Sequence, residues 1–69
     1  MNNGQFLKEV GLKVRAARKA RKIPLTELAK LCGTNLTQLS FIENGKANWH
    51  ILTLKSIADV FKVNVREFL

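Results

Sequence analysis

The chain has 69 residues, of which 12 are Lys or Arg and 5 are Asp or Glu, so its formal net charge is +7 at pH 7. A chain of this length forms one domain around a single core and is too short for a buried active-site cleft. Its single cysteine and single histidine, Cys32 and His50, exclude an internal disulfide and cannot by themselves close a zinc site. The sequence therefore predicts one domain over residues 1–69 with no metal and no cofactor.

Targeting signals are absent from the pattern. The first residues, Met1 to Gln5, contain no basic segment followed by an apolar run. No stretch approaches the roughly 18 consecutive apolar residues of a membrane span. We therefore expect a cytoplasmic protein, neither secreted nor membrane-spanning, with residues 1–4 flexible.

The positive charge is concentrated in one segment. Between Lys13 and Lys22, 6 of 10 residues are Lys or Arg and none is acidic. On a helix, Arg15, Arg18, Lys19 and Lys22 would fall within an arc of about 100°. Such an arc is either a solvated helix face or a surface for an anionic partner, of which nucleic acid is the first candidate.

The hydrophobic spacing predicts five helices. In chain order they are expected at residues 5–22, from 24 or 25 to 32, at 36–43, from about 51 to a break at 62–64, and at 65–69. Pro24 begins the second helix, because proline is tolerated at a helix start and not inside one. The dipeptide Asn44-Gly45 predicts a turn after the third helix. Asn64 is a plausible N-cap for the last one.

Residues 24–43 have the layout of a helix-turn-helix. Their apolar positions share one face of each helix: Leu28, Ala29 and Cys32 on the first, Leu39 and Ile42 on the second. Gly33 stands where the chain must reverse, because glycine adopts positive φ and ends a helix. Asn35 is then a good N-cap for the second helix of the pair.

A set of spaced residues carries a family resemblance: Val14, Arg15, Arg18, Leu28, Ala29, Gly33, Leu39, Ser40, Ile42, Glu43, Gly45, Leu54, Ile57, Ala58 and Val63. They resemble the Xre family of Cro and phage-repressor-like DNA-binding domains. The resemblance implies an all-α, compact five-helix bundle of the lambda-repressor-like kind, whose third helix enters the major groove of DNA. It also implies a structural salt bridge between Arg18 and Glu43, and commonly a homodimer on a two-fold symmetric operator.

The resemblance places the base contacts on the third helix. Asn35, Leu36, Thr37 and Phe41 stand where family members contact bases or nearby backbone, and helical spacing adds Gln38 at the flank. Gln38 can hydrogen-bond adenine or a phosphate, whereas Leu36 and Phe41 offer only apolar surface for thymine methyl groups. We therefore expect a thymine-containing half-site. Core packing is an equal alternative for Leu36, and a protein contact is the alternative for Phe41.

Further residues are candidates for phosphate contact: Arg15, Lys19, Lys22, Thr26, Ser40, Asn44, Lys46 and Asn48. Members of the family usually begin the second helix with a small hydroxyl residue and a glutamine that together hold a phosphate. This chain has Pro24 and Leu25 there, so that clamp is weakened. The free backbone amides of Thr26 and Glu27 can still meet a phosphate.

The sequence thus predicts a DNA-binding transcriptional regulator that is not an enzyme and acts as a repressor. A restriction-modification controller, a phage or mobile-element regulator and an autoregulating antitoxin with a toxin partner all fit this prediction. Dimer contacts are expected at Val65, Phe68 and Leu69, since a short apolar end is otherwise poorly covered. The alternative is a protein-interaction module that keeps the bundle and has lost DNA binding.

Overall fold

The computed structural model describes residues 3–46 and 51–69. These residues form four α-helices and one 3-10 helix: α1 Asn3–Ala20, α2 Leu25–Cys32, α3 Leu36–Asn44, α4 Ile51–Phe61 and the 3-10 helix Val65–Phe68. No helix in the described ranges is long and apolar enough to cross a membrane. The predicted all-helical fold is confirmed, with one correction at the fifth element.

The fifth element is a 3-10 helix of 4 residues, so the prediction of five α-helices is wrong. The Asn64 side chain accepts a hydrogen bond from the Arg66 amide at 3.0 Å, which confirms Asn64 as the cap. The Glu67 amide donates to the Asn64 carbonyl at 3.0 Å, and the Leu69 amide donates to the Arg66 carbonyl at 3.1 Å. These i to i+3 bonds wind the segment more tightly than an α-helix, as is usual for so short a helical piece.

Helix α1 begins and ends two residues before the predicted range 5–22. The Arg21 amide donates to the Arg18 carbonyl at 3.1 Å, and the Lys22 amide donates to the Lys19 carbonyl at 3.0 Å. Lys22 then adopts a φ of +57°, which ends the helical path. Lys22 therefore does not share a helical arc with Arg18 and Lys19, contrary to the sequence-based expectation.

One hydrophobic core joins all the elements. Its buried members are Val10 and Val14 of α1, Leu28 and Ala29 of α2, Leu39 and Ile42 of α3, Leu54, Ile57, Ala58 and Phe61 of α4, and Phe68 of the 3-10 helix. Because these positions recur at helical spacing, their burial follows from the amphipathic pattern. The core fixes the position of α2 and α3 against α1 and α4.

Gly11 determines how closely α1 approaches α3. A Cβ atom at this position would lie 2.3 Å from the carbonyl oxygen of Ile42 and 2.6 Å from that of Glu43. Gly45, which ends α3 at a φ of +66°, makes a second close contact: a Cβ there would lie 2.6 Å from the Cα of Lys8. The C-terminal end of α3 and its following turn are therefore held directly against the first half of α1.

Arg21 connects the C-terminal ends of α1 and α4. Its guanidinium carbon lies 4.5 Å from the ring centroid of Phe61. Its Nη1 donates to the Ala17 carbonyl at 2.9 Å and its Nη2 to the Phe61 carbonyl at 3.4 Å. Phe61 in turn meets Phe68 edge-on, with ring centroids 6.3 Å apart. Arg21 is thus part of the contacts that hold the C-terminal segment on the bundle.

Replacing Arg21 with alanine is expected to lower the free energy of unfolding by about 1–2 kcal/mol. The loss combines a cation-π contact with charge-assisted hydrogen bonds to helix carbonyls. Urea denaturation followed by circular dichroism measures it. Lys30→Ala, on the exposed side of α2, is the control and is expected to change stability by less than about 0.5 kcal/mol. Equal effects of the two substitutions would show that the Arg21 contacts contribute nothing.

Candidate nucleic-acid interface

The turn between α2 and α3 is built by the two predicted signals. Gly33 ends α2 in the left-handed region, at a φ of 72° and a ψ of 27°. Its amide donates to the Lys30 carbonyl at 3.2 Å, and the Thr34 amide donates to the Ala29 carbonyl at 3.0 Å. Asn35 begins α3, because its side-chain oxygen accepts the Gln38 amide at 2.7 Å. Both capping predictions are confirmed, and α3 starts three residues after Gly33.

The Arg18 side chain ties α1 to the end of α3. Its Nε donates to Oε2 of Glu43 at 2.7 Å and its Nη2 to Oε1 at 3.1 Å. Its Nη1 donates to the Ile23 carbonyl at 2.9 Å. The Arg18 and Glu43 side chains are only 13% and 5% exposed. Arg18 is therefore a structural residue and lies outside the accessible basic surface.

The outward face of α3 carries two large apolar side chains. Leu36 is 45% exposed and Phe41 is 44% exposed. Thr37 lies between them in sequence and is also exposed. Of the two expectations for Leu36, the one that its side chain packs in the core is therefore wrong. An exposed leucine and phenylalanine on one short helix are available for a contact outside the bundle.

Most polar side chains on this segment already have partners within the chain. The Thr34 hydroxyl donates to Oε1 of Gln38 at 2.7 Å. Asn44 Nδ2 donates to the Ser40 carbonyl at 2.8 Å and approaches the Ser40 hydroxyl at 3.4 Å. The Gln38 oxygen thus already accepts one hydrogen bond within the chain, and the Gln38 side-chain nitrogen can donate to an outside acceptor.

Exposed cations lie along the edge of α1 that faces α3. Lys8, Arg15 and Lys19 recur at i, i+7 and i+11, so they share one side of the helix. That side adjoins Gly11 and Arg18, which contact the end of α3. Arg15 and Lys19 were predicted from the basic run, whereas Lys8 was missed because it precedes that run. Its helical spacing from Arg15 is the signal that would have found it.

Lys46 adds a cation from the other side of this junction. Its amide donates to the Phe41 carbonyl at 3.0 Å, and its side chain is exposed directly after Gly45. Since Gly45 rests against Lys8, the Lys46 backbone lies beside the first half of α1. Exposed positive charge therefore flanks the C-terminal end of α3 from two elements.

The remaining predicted phosphate contacts are less connected to α3. Lys22 is exposed beyond the end of α1, and Thr26 is exposed in the first turn of α2. Pro24 occupies the N-cap of α2 and makes no side-chain capping bond. Within the described ranges, neither Lys22 nor Thr26 forms a side-chain hydrogen bond to α3. Asn48 lies outside the described residues.

The predicted dimer surface needs one correction. Phe68 is only 3% exposed, because its ring packs in the core against Phe61. It is therefore not available as an interface side chain. Val65 is half-buried against the core, and Leu69 is exposed at the end of the chain. Of the three predicted residues, Val65 and Leu69 therefore remain candidates for a dimer contact.

Cys32 has the environment of a packing residue. Its side chain is half-buried against the core, and burial raises the pKa of its thiol. A raised pKa keeps the thiol protonated near neutral pH, and the protonated form is a poor nucleophile. The residues that the structure describes contain no group of three side chains able to hold a metal ion.

Two short helices joined by a glycine turn, with an exposed second helix and cations beside it, define a helix-turn-helix domain. The helix-turn-helix family HTH_3 matches residues 14–68. The chain belongs to this Xre/Cro-like family of DNA-binding transcription regulators. No curated protein matches the chain in sequence.

Several solved structures share the fold. The restriction-modification controller protein C.AhdI from Aeromonas hydrophila superposes with a TM-score of 0.87 at 24% identity, over 91% of this chain and 96% of that one. An HTH_3 family transcriptional regulator from Vibrio cholerae gives 0.88 at 27% identity, over 97% of this chain but only 38% of that one. The DNA-binding domain of BldD gives 0.84 at 24% identity, over 100% and 99% of the two chains.

Proposed function

We propose that the chain recognises a specific double-stranded DNA sequence by placing α3 in the major groove. The observation that carries this proposal is the exposed, uncharged face of α3 flanked by the exposed cations of α1 and by Lys46. Cations beside a groove-reading helix bind phosphates and fix its register, while the helix itself contacts base edges. Membership of the HTH_3 family supports the same reading.

The proposed functional unit is a homodimer that represses transcription by occupying a two-fold symmetric operator. In that arrangement the two copies of α3 enter successive major grooves about 34 Å apart. Exposed Leu69 and half-buried Val65 supply apolar surface for the dimer contact. The similarity to C.AhdI favours a restriction-modification controller among the possible settings, while phage or mobile-element regulation fits the same chemistry. A toxin partner finds no support among the similar proteins.

A protein-interaction module without DNA binding is the competing proposal. Exposed Leu36 and Phe41 favour it, because such side chains also suit a protein surface. The exposed cations of α1 oppose it. Titration of random duplex DNA at low salt separates the two, since a protein that has lost DNA binding would show no association.

Salt dependence tests the proposed phosphate contacts. If about four to six phosphates are contacted per subunit, log K against log salt has a slope between about −3.6 and −5.4 per subunit. Arg15→Gln and Lys19→Gln are each expected to reduce the magnitude of that slope by about 1 and to leave the base preference unchanged. Fluorescence anisotropy on an operator selected from a random DNA pool measures both quantities.

Lys55→Gln is the matched control for these two variants. Lys55 lies on α4 and forms an exposed ion pair with Asp59 at 3.1 Å. Its charge is therefore already paired with a carboxylate and is not expected to contact a phosphate. Its substitution is expected to leave the slope unchanged. A flat salt response of the unmodified protein would contradict DNA as the partner. Slopes that are equal for Arg15→Gln and Lys55→Gln would remove Arg15 from the phosphate contacts.

A further inference from the structure

We propose that α3 reads the C5-methyl groups of pyrimidines, so that 5-methylcytosine is accepted where thymine is contacted and operator binding responds to cytosine methylation. This inference rests on the proposed placement of α3 in the major groove. It concerns what α3 recognises there, and it follows from which side chains of α3 are exposed and which are already occupied.

The exposed surface of α3 carries no charge. Glu43 is the single acidic residue of the helix, and its carboxylate is buried against Arg18. The helix sequence contains no basic residue. The contacts that most often identify guanine, a bidentate arginine or lysine on O6 and N7, therefore cannot be made by α3 itself. What α3 presents instead are Leu36 and Phe41, each a little under half exposed, with the exposed Thr37 between them in sequence.

Hydrogen bonding from α3 is also restricted. The Asn35 oxygen holds the Gln38 amide, and the Gln38 oxygen holds the Thr34 hydroxyl. Asn44 donates back to Ser40. A bidentate contact of Asn or Gln with adenine needs a free oxygen and a free amide on the same side chain. In the segment that the structure describes, the Asn35 and Gln38 oxygens each already accept one hydrogen bond, so a bidentate contact of either side chain with adenine would have to share that oxygen.

Apolar side chains can still distinguish bases by their methyl groups. Thymine presents a C5-methyl group in the major groove, and unmodified cytosine does not. In 5-methylcytosine a methyl group occupies the same ring position. Leucine and phenylalanine have neither donor nor acceptor, so they gain from covering the methyl and do not read the neighbouring O4 or N4. A contact of this kind gives thymine and 5-methylcytosine the same advantage over their unmethylated forms.

The test compares two pairs of bases at each operator position. After an operator is selected from a random DNA pool, each thymine is replaced in turn by uracil. At positions where α3 contacts the methyl group, the affinity is expected to fall about fourfold, which corresponds to the free energy of burying one methyl or methylene group. An operator with 5-methylcytosine at one of those positions is expected to bind the protein about fourfold more tightly than the same operator with cytosine there. Fluorescence anisotropy at one fixed salt concentration measures all four affinities.

Variants of α3 connect the effect to its side chains. Phe41→Ala is expected to abolish the preference for thymine over uracil at the operator positions that Phe41 contacts and to retain it at those that Leu36 contacts. Leu36→Ala is expected to give the converse result. Both side chains lie outside the buried core, and circular dichroism of each variant verifies its fold. Leu52→Ala, which removes an exposed leucine from α4, is the control and is expected to retain the preference everywhere.

The possible outcomes separate this inference from the proposed function. Absence of binding to any duplex overturns DNA binding itself. Specific binding with equal affinity for thymine and uracil at every position overturns the methyl contact and leaves DNA binding standing. A uracil penalty without a gain from 5-methylcytosine overturns the response to cytosine methylation. The inference is supported if the ratio of affinities for thymine over uracil equals that for 5-methylcytosine over cytosine at the same position, and if both preferences are lost in Phe41→Ala or Leu36→Ala.

Discussion

Replacing Glu43 with alanine is expected to lower the free energy of unfolding by about 3–5 kcal/mol, because the Arg18 charge would then lie in the bundle without its partner. The guanidinium is held in a site where its side chain is 13% exposed, so water replaces the lost carboxylate poorly. Both oxygens of Glu43 accept from Arg18, at 2.7 and 3.1 Å, and both bonds disappear together. Urea denaturation followed by circular dichroism measures the loss.

The size of this effect matters because the domain is small. A stability of about 0.05–0.15 kcal/mol per residue gives such a domain roughly 3–10 kcal/mol in total. The Glu43→Ala variant is therefore expected to lose a large share of its stability at 25 °C.

The chain supplies its own control in the second ion pair. Lys55 and Asp59 lie 3.1 Å apart, but their side chains are 60% and 65% exposed. Solvent screens such a pair, and Lys55→Ala is expected to cost less than about 1 kcal/mol. The double variant Arg18→Met with Glu43→Leu is expected to recover much of the loss, because no unpaired charge remains. A Glu43→Ala variant as stable as Lys55→Ala would refute the role of burial.

The second large effect is expected at Gly11, where alanine should destabilise the protein by about 3 kcal/mol, the upper end of the range for overpacking. The added Cβ would meet the carbonyl oxygens of Ile42 and Glu43 at 2.3 and 2.6 Å. These are backbone atoms that a side-chain rotation cannot move aside. Helices α1 and α3 would have to separate, and the core between them would loosen.

Helix propensity predicts the opposite sign for this substitution. Alanine is favoured over glycine inside a helix by about 1 kcal/mol, so Gly11→Ala would stabilise α1 if packing did not matter. Gly33→Ala is the comparison, because a Cβ added at Gly33 would have no heavy atom within 4 Å but the backbone there has a φ of +72°. Its expected cost is about 1–2 kcal/mol from the left-handed backbone alone. Denaturation midpoints that rise in Gly11→Ala would contradict the close approach of α1 and α3.

Local signals explain why α2 and α3 could be predicted from the sequence. Gly33 and Asn35 act within a few residues of their own positions, through a left-handed cap and a side-chain bond to Gln38. The apolar spacing of α1 to α4 likewise follows from helical periodicity. These features depend on neighbouring residues, so the sequence contains them directly.

The features that were missed depend on tertiary packing or on a segment too short to show helical periodicity. Gly11 is recognisable as a packing residue only once Ile42 and Glu43 are known to lie beside it. The burial of Phe68 depends on how the 3-10 helix folds back so that its ring meets Phe61, the last residue of α4. The 3-10 winding of residues 65–68 reflects a balance of hydrogen bonds in a segment too short for periodicity to identify.

The exposed face of α3 was predicted in part. Spacing separated Leu36 and Phe41 from the inward residues Leu39 and Ile42, but it left the burial of Leu36 open. Only the packed bundle shows that Leu36 has surface to offer. The pairing of Gln38 with Thr34 also depends on the turn geometry, and it narrows what Gln38 can read.

The hydrogen bonds of Arg18 to two other segments have a consequence for the entropy of DNA binding. Its guanidinium joins α1, the segment before α2 and the end of α3 through Ile23 and Glu43. The orientation of α3 relative to α1 is therefore set in the free protein. We therefore expect α1 and α3 to keep their relative orientation when the protein binds DNA, so that no conformational entropy is lost in ordering these two helices.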